Sequence, residues 1–177
     1  MYSPVQTTPF SNRIKMKSRF WRLIWLLFYR PSPWFMYRYR CYLLRFFGGK
    51  ISLYSKPANT SFIEFPWNLT LHDYASLGER SWIYCLDEIV IDEYACVGQD
   101  VRLITGSHNF ESKKFEMITA PIFIGKGCWL TSDVTVLMGC SIGDYSVIGV
   151  RSLVTKNIPE NVVAVGSPAR PIRKRFL

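Results

Sequence analysis

Two histidines are the side chains best suited to proton transfer in this chain of 177 residues. His108 lies in the segment Gly106-Ser107-His108-Asn109-Phe110, and His72 follows Leu71. Because an imidazole exchanges protons near neutral pH, His108 is a candidate general base. Its position alone leaves two interpretations open, a catalytic base and a solvated loop residue. We expect His72 to be a surface residue on a turn.

The sequence excludes several other chemistries. Two histidines cannot supply the three histidine ligands of a β-helix carbonic anhydrase. The sequence contains no GxxxxGK(S/T) phosphate loop, no G-x-S-x-G elbow and no acidic metal cluster. Its cysteines are odd in number and form no C-x-x-C pair: Cys41, Cys85, Cys96, Cys128 and Cys140. We therefore expect reduced thiols, no metal and a cytoplasmic protein.

The element that must position His108 is a repeat with a step of six residues. The apolar positions of its clearest part are Ile124, Leu130, Val136, Ile142, Ile148 and Val154. Four places after these come small residues, namely Cys128, Val134, Cys140, Ser146 and Ser152. A helix repeats near 3.6 residues and a strand near 2, so neither explains this step. Hexapeptide repeats of this kind predict a parallel β-helix in which three flat sides close one coil.

The same step can be followed through the earlier part of the chain. The apolar positions there are Ile51, Pro57, Ile63, Leu71, Leu77, Ile83, Ile91, Val97 and Leu103. The step lengthens to eight after Ile63 and after Ile83, and to 21 after Leu103. Extra residues thus leave after every third side, which predicts a loop, residues 105–121, that projects from one corner. Catalytic residues often lie on loops that a rigid scaffold positions.

Three regions follow from this pattern. We predict a basic, aromatic helical segment at 1–49, a β-helix catalytic domain at 50–165 and a basic tail at 166–177. In the first region, Pro31-Ser32-Pro33 separates two expected amphipathic helices, 13–29 and 33–47. Its longest apolar run, Leu23 to Tyr29, is far shorter than the ~20 residues of a spanning helix. No small-residue cleavage site follows this run, so we do not expect a signal peptide.

The net charge of +9 belongs mainly to this front end, because half of the 22 Lys and Arg residues precede Glu64, the first acidic residue. Nucleic-acid binding would rest on charge alone, and we do not expect it. Two roles for residues 13–47 stay open and are compatible. The helices could cover the open end of the β-helix, or they could contact an anionic membrane surface.

With these residues in view, the chain resembles the left-handed β-helix, hexapeptide-repeat acetyltransferases. The likeness is greatest to the branch for colanic acid (exopolysaccharide) biosynthesis, which is related to maltose and galactoside O-acetyltransferases. The segments that carry it are Arg30-Pro31-Ser32-Pro33, Pro66-Trp67-Asn68-Leu69, Trp82-Ile83-Tyr84, Thr105-Gly106-Ser107-His108, Ile118-Thr119-Ala120-Pro121-Ile122, Val154-Thr155-Lys156-Asn157-Ile158-Pro159 and Gly166-Ser167-Pro168-Ala169-Arg170.

The resemblance implies a homotrimer that transfers an acetyl group from acetyl-CoA to a sugar hydroxyl, with active sites between neighbouring chains. His108 matches the catalytic histidine of the family. The positions that match cofactor contacts are Trp129, Ser132, Val150, Thr155, Lys156, Arg170 and Arg173. A lipid-linked saccharide acceptor would explain a front end that touches the inner face of the cytoplasmic membrane.

Two positions on the acceptor side depart from the family pattern. Asn109 stands where relatives usually have Asp, and Cys85 replaces an asparagine near the acceptor. An Asp could orient the imidazole through a charged hydrogen bond, whereas Asn offers a neutral one. Two rival hypotheses therefore stay open: a small-molecule or xenobiotic acetyltransferase of the same fold, and a catalytically silent, membrane-associated β-helix scaffold.

Overall fold

The computed structural model of the protein describes residues 10–176. Residues 1–9 and Leu177, which fall within the first and last predicted regions, lie outside the described residues. Helix α1 spans Asn12–Ile24, continues as a π-helical turn at Trp25–Tyr29, and is followed by α2 at Tyr37–Phe46. A short 3-10 turn occupies Pro66–Asn68. Neither α-helix in this range has the length and apolar content to cross a bilayer.

Short strands build the rest of the molecule. In chain order they are β1 (Lys50–Ile51), β2 (Lys56–Pro57), β3 (Phe62–Ile63), β4 (Leu69–Leu71), β5 (Ser76–Leu77), β6 (Trp82–Tyr84), β7 (Ile89–Ile91), β8 (Cys96–Val97), β9 (Arg102–Ile104), β10 (Gly106–His108), β11 (Met117–Thr119), β12 (Ile122–Ile124), β13 (Trp129–Leu130), β14 (Thr135–Leu137), β15 (Ser141–Ile142), β16 (Val147–Ile148), β17 (Leu153–Val154), β18 (Val162–Gly166) and β19 (Ala169–Lys174).

Three sheets form the sides of a left-handed parallel β-helix, as predicted. Sheet one has the order β1-β4-β7-β12-β15, sheet two β19-β18-β16-β13-β8-β5-β2, and sheet three β17-β14-β9-β6-β3. We call the turn from sheet one to sheet two corner one, the turn from sheet two to sheet three corner two, and the turn from sheet three to sheet one corner three. Residues 105–121 leave at corner three.

The apolar residues that recur along the sequence pair with one another in register within these sheets, as the six-residue step predicted. Ile51 pairs with Leu71, Leu71 with Ile91, Ile91 with Ile124, and Ile124 with Ile142. These side chains are stacked in the interior, where each is at most 2% exposed. The small residues four places further on, such as Cys128 and Ser146, are buried as well. The tight corners thus explain why the pattern alternates large aliphatic and small residues.

The N-terminal end of the β-helix has its own hydrogen-bonding requirement. Each coil donates N–H groups to carbonyls of the next coil, as from Lys56 to Ala75 and from Phe62 to Ser81, both at 2.8 Å. The carbonyls of coil one (residues 50–63) therefore point out of the end at which the β-helix begins. A buried carbonyl left without a donor would cost about 1–3 kcal/mol.

Side chains of the front end supply these donors. Trp21 Nε1 donates to the carbonyl of Ile63, and Trp25 Nε1 donates to that of Ser61 at 2.9 Å. Arg40 Nε donates to Pro57 O at 2.8 Å, and the rest of its guanidinium donates to Ser32 Oγ, Pro33 O and Trp34 O. Trp21, Tyr29 and Arg40 are at most 1% exposed. The front end is therefore a cap on coil one, which was one of the two roles left open by the sequence.

Candidate active site

The candidate site begins with a hairpin that leaves the β-helix at corner three. Strands β10 and β11 pair antiparallel, with His108 opposite Met117. The base of the hairpin is tied to the coils through Thr105, whose N–H donates to Tyr84 O at 3.1 Å and whose carbonyl accepts from Ala120 N at 3.0 Å. Thr119 Oγ1 adds a bond to Asp87 Oδ2 at 2.9 Å. The coils thus fix the base of the hairpin while its outer part extends into solvent.

His108 is exposed, yet its ring is held in one orientation. Its Nδ1 lies 2.9 Å from the carbonyl oxygen of Phe115. The two rings stack with centroids 4.6 Å apart and planes 3° from parallel. Because a carbonyl can only accept, Nδ1 is the donor, and in the neutral imidazole the lone pair is then on Nε2. The arrangement presents a free nitrogen base to solvent on the face of the hairpin.

Asn109 closes the hairpin beside His108. Its Nδ2 donates to Glu116 Oε1 at 3.1 Å, and its backbone N–H donates to Glu116 O at 2.9 Å. Hydrogen bonds from Ser112 and from Asn109 lower the pKa of the Glu116 carboxyl. The role that an Asp after the histidine could fill, orienting the imidazole, is filled here by the Phe115 carbonyl. A contact between Asn109 and an acceptor stays a prediction.

Cys85 occupies an interior position at the end of β6. Its side chain is 0% exposed, and its Sγ donates to the carbonyl of Phe65 at 3.2 Å. Burial raises the pKa of the Cys85 thiol to about 12, so this group stays protonated near neutral pH. The expected contact between Cys85 and an acceptor stays a prediction, and this burial weighs against it.

The residues that match cofactor contacts divide between two parts of one chain. Thr155 and Lys156 are exposed directly after β17, at corner three, the corner from which the His108 hairpin leaves. Ser132 and Val150 line a groove of about 560 Å³ at corner two. Trp129, about half exposed, is on sheet two. Sheet three separates these two groups within a single chain.

The charged residues near the second group are already paired in part. In the corner-two groove, Asp133 accepts from Arg102 at 3.0 Å and lies 3.4 Å from Arg151. Arg170 and Arg173 are exposed on β19, the strand that ends sheet two, and each guanidinium donates to a neighbouring backbone carbonyl. Exposed guanidiniums of this kind suit phosphate groups, because their planar fork matches two oxygens.

Other candidate chemistry is limited. Within residues 10–176 no three His, Cys, Asp or Glu side chains are grouped so that they could hold a metal ion. His72 lies on corner one, after β4, and is exposed. The role of Phe115 could not be predicted from the sequence, because a loop of mixed composition carries no signal that its carbonyl and ring would hold the histidine.

Several known acetyltransferases are similar to this chain in sequence or structure. The chain is 42% identical over 160 residues to the Escherichia coli K12 protein named "Putative colanic acid biosynthesis acetyltransferase WcaF", covering 90% of this chain and 88% of that one. It is 33% identical over 156 residues to the galactoside O-acetyltransferase of the same organism, covering 71% and 77%. A crystal structure of galactoside acetyltransferase in complex with coenzyme A superposes with a TM-score of 0.81 at 25% identity, covering 95% and 85%.

No protein-family model matches the chain. The sequence relationship to the WcaF protein nevertheless spans most of both chains, and so does the structural similarity to the coenzyme A complex. The chain therefore belongs to the hexapeptide-repeat acetyltransferases, in the group that includes WcaF and galactoside O-acetyltransferase.

Proposed function

We propose that this protein is an acetyl-CoA-dependent O-acetyltransferase that acts on a sugar hydroxyl of an exopolysaccharide precursor resembling that of colanic acid. The observation that carries the proposal is the His108 imidazole, held through Nδ1 with Nε2 free at the surface of a scaffolded hairpin. Two findings support the donor and the class of acceptor: the relatives are named as a colanic acid biosynthesis acetyltransferase and a galactoside O-acetyltransferase, and the similar crystal structure of a galactoside acetyltransferase contains coenzyme A.

The proposed mechanism uses His108 as a general base. Nε2 takes the proton from the sugar hydroxyl while its oxygen attacks the thioester carbonyl. The new C–O ester bond forms, the C–S bond breaks, and the proton passes from the imidazolium to the departing thiolate. General-base assistance of this kind is worth roughly 10²–10⁴-fold in rate. The Phe115 carbonyl stabilises the imidazolium and keeps Nε2 directed at the hydroxyl.

A homotrimer with its active sites between chains is part of the proposal. It is supported by the separation of His108, Thr155 and Lys156 at corner three from Trp129, Ser132 and Val150 on the other side of sheet three. If corner three of one chain lies against corner two of its neighbour, the two groups complete one site.

Subunit mixing tests this arrangement. Co-expressed His108→Ala and Trp129→Ala chains would recover about a quarter of wild-type activity, because that share of interfaces receives an intact residue from each side. Activity no higher than that of either variant alone would place both residues in the site of a single chain. Light scattering on the purified protein would report the number of chains.

The acceptor and its location complete the proposal. We place the enzyme in the cytoplasm, peripherally on the inner face of the membrane, with a lipid-linked saccharide as acceptor. The support is the front end, residues 13–47, which exposes both apolar and basic side chains.

The experiment is to incubate the protein with acetyl-CoA and a panel of sugars, nucleotide sugars, lipid-linked saccharides and amine-bearing drugs, and to detect acetylated product by mass spectrometry. We expect acceptor-dependent thiol release with a sugar ester as product. Transfer to amine-bearing drugs in preference to sugars would favour a xenobiotic acetyltransferase. If no acceptor reacts and calorimetry detects no acetyl-CoA binding, the protein is a silent scaffold.

A further inference from the structure

The cap exposes ten large apolar side chains on its helices and on the turn between them. They are all between 50% and 81% exposed: Met16, Phe20, Leu23, Leu26, Leu27, Phe28, Trp34, Phe35, Tyr42 and Phe46. We call this set the end plate. It is the reverse side of the helices that turn Trp21, Arg40 and Leu44 into the protein. Contiguous apolar surfaces of this kind mark sites of interaction with another molecule or a membrane.

The charges around the end plate indicate what covers it. Exposed basic residues on the same helices and turns are Arg13, Lys15, Lys17, Arg19, Arg22, Arg30, Arg38 and Arg45, of which Arg22 pairs with Glu64, and no acidic residue precedes Glu64. A second copy of this end would set positive charges against positive charges. An anionic bilayer instead takes aromatic and aliphatic side chains into its interface and attracts Lys and Arg at the headgroups. The negative charge of such a bilayer complements the basic residues around the end plate. We therefore take a bilayer as the occupant.

The direction of the hydrogen bonds fixes how the β-helix would stand on that bilayer. The donors of the cap meet carbonyls of coil one that point along the β-helix axis. The cap therefore lies across the end of the β-helix, and the end plate faces outward along the axis. A bilayer in contact with the end plate would be roughly perpendicular to the axis.

This orientation sets the distance between the reacting atoms and the lipid. The His108 hairpin follows β9, in the third coil, two coil steps beyond coil one. Two steps of about 4.8 Å and one helix layer of about 10 Å place this level on the order of 20 Å from the outer surface of the cap. One pyranose ring is about as long as one coil step, so this height corresponds to several sugar units.

We propose that the end plate docks the β-helix end-on to an anionic bilayer. The site at His108 then acetylates the distal sugars of a lipid-linked oligosaccharide and not a sugar attached directly to the lipid. This inference rests on the proposed function, since it assigns the acceptor of the same site. The height of the His108 site above the membrane would then help to determine which sugar hydroxyl is acetylated.

The test compares glycans of one to four sugars, each in two forms: water-soluble, and linked to undecaprenyl diphosphate in phosphatidylcholine vesicles that contain phosphatidylglycerol. The acceptor sugar is kept at the distal end of every glycan. We expect the soluble glycans to react whatever their length, and the lipid-linked series to react only once several sugars separate the acceptor from the lipid. Equal rates for the shortest and longest lipid-linked glycans would overturn the inference. No transfer to any soluble glycan would instead contradict the proposed function.

A matched pair of variants tests the docking surface itself. Leu23→Ser/Leu27→Ser removes two exposed end-plate side chains and should weaken sedimentation with anionic vesicles by about a hundredfold. Its rate on soluble glycans and its thermal midpoint should equal those of the wild type. The control, Tyr94→Ser, alters an exposed aromatic residue on corner one and should bind vesicles normally. Unchanged sedimentation of the double variant, or a wild-type protein that self-associates through this end without binding vesicles, would overturn the proposal.

Discussion

The cap and the His108 hairpin are both departures from the repeating coil, and they are held in opposite ways. The cap lies at the end of the β-helix, where Trp21 and Arg40 are buried and donate to carbonyls of coil one. The hairpin lies at a corner and exposes most of its side chains, including Phe110 and His108. The end of a β-helix must be covered, whereas a corner can close without an insertion. Residues of the hairpin can therefore take part in catalysis without a cost to the fold, while the buried residues of the cap stabilise the folded β-helix.

The largest effect should come from the hairpin. His108→Ala removes the proposed base and should lower kcat/KM for acetyl transfer by about 10²–10⁴-fold, with the oligomeric state and thermal midpoint unchanged. Steady-state kinetics and light scattering on the same preparation measure both. Near wild-type kinetics in this variant would mean that another group takes the proton.

Arg40→Met should produce the next largest effect, and it should act on stability. The change removes donors to three carbonyls and to Ser32 Oγ in a buried site, which should cost about 3 kcal/mol in the free energy of unfolding. Arg38→Met, an exposed change on the same helix, should alter it by less than about 0.5 kcal/mol. Chemical denaturation compares the two. Similar losses for both would show that the capping bonds do not stabilise coil one.

A smaller effect is expected for Asn109→Asp. Asn109 donates to Glu116, so an Asp at this position sets two carboxylates against each other in the hairpin. We expect kcat/KM to fall by about threefold at neutral pH, where both carboxyls are charged and repel each other. A rate increase would instead mean that an Asp can orient His108 better than the Phe115 carbonyl does.

The smallest effect should come from Cys85→Ser. A hydroxyl can donate to the Phe65 carbonyl as the thiol does, so stability should change by about 1 kcal/mol or less, with KM for the sugar unchanged. The measurement is KM for the best acceptor, at saturating acetyl-CoA. A several-fold change in KM would support the original expectation that Cys85 contacts the acceptor.

Periodicity made the β-helix predictable from the sequence. A step of six residues places Ile51, Leu71, Ile91, Ile124 and Ile142 in one register, and the lengthened steps identified the corner from which the hairpin leaves. The repeat of large aliphatic residues is clear in the sequence because every coil must fill the same narrow interior. The helices of the front end were also expected, although the second begins at Tyr37 and the first ends in a π-helical turn.

What the sequence did not reveal depends on contacts between distant or irregular segments. The hydrogen bond from Arg40 to the Pro57 carbonyl joins the front end to coil one, and no pattern in either segment predicts it. The Phe115 carbonyl holds His108 across a loop whose backbone at Phe115 has a φ of 50°, which is uncommon for a residue other than glycine. Likewise, the burial of Cys85 follows from its place inside corner three, whereas its alignment with a family position suggested an acceptor contact.

The central claim is that the hairpin at corner three supplies the catalytic base, whereas the cap stabilises the β-helix. The most direct test measures acceptor-dependent thiol release from acetyl-CoA, together with the thermal midpoint, for the wild type, His108→Ala and Arg40→Met side by side. We predict that His108→Ala lowers thiol release by at least about a hundredfold at a wild-type midpoint, while folded Arg40→Met keeps its rate per molecule at a lowered midpoint. If His108→Ala releases thiol at the wild-type rate, or if both variants lose activity and stability together, the claim is wrong.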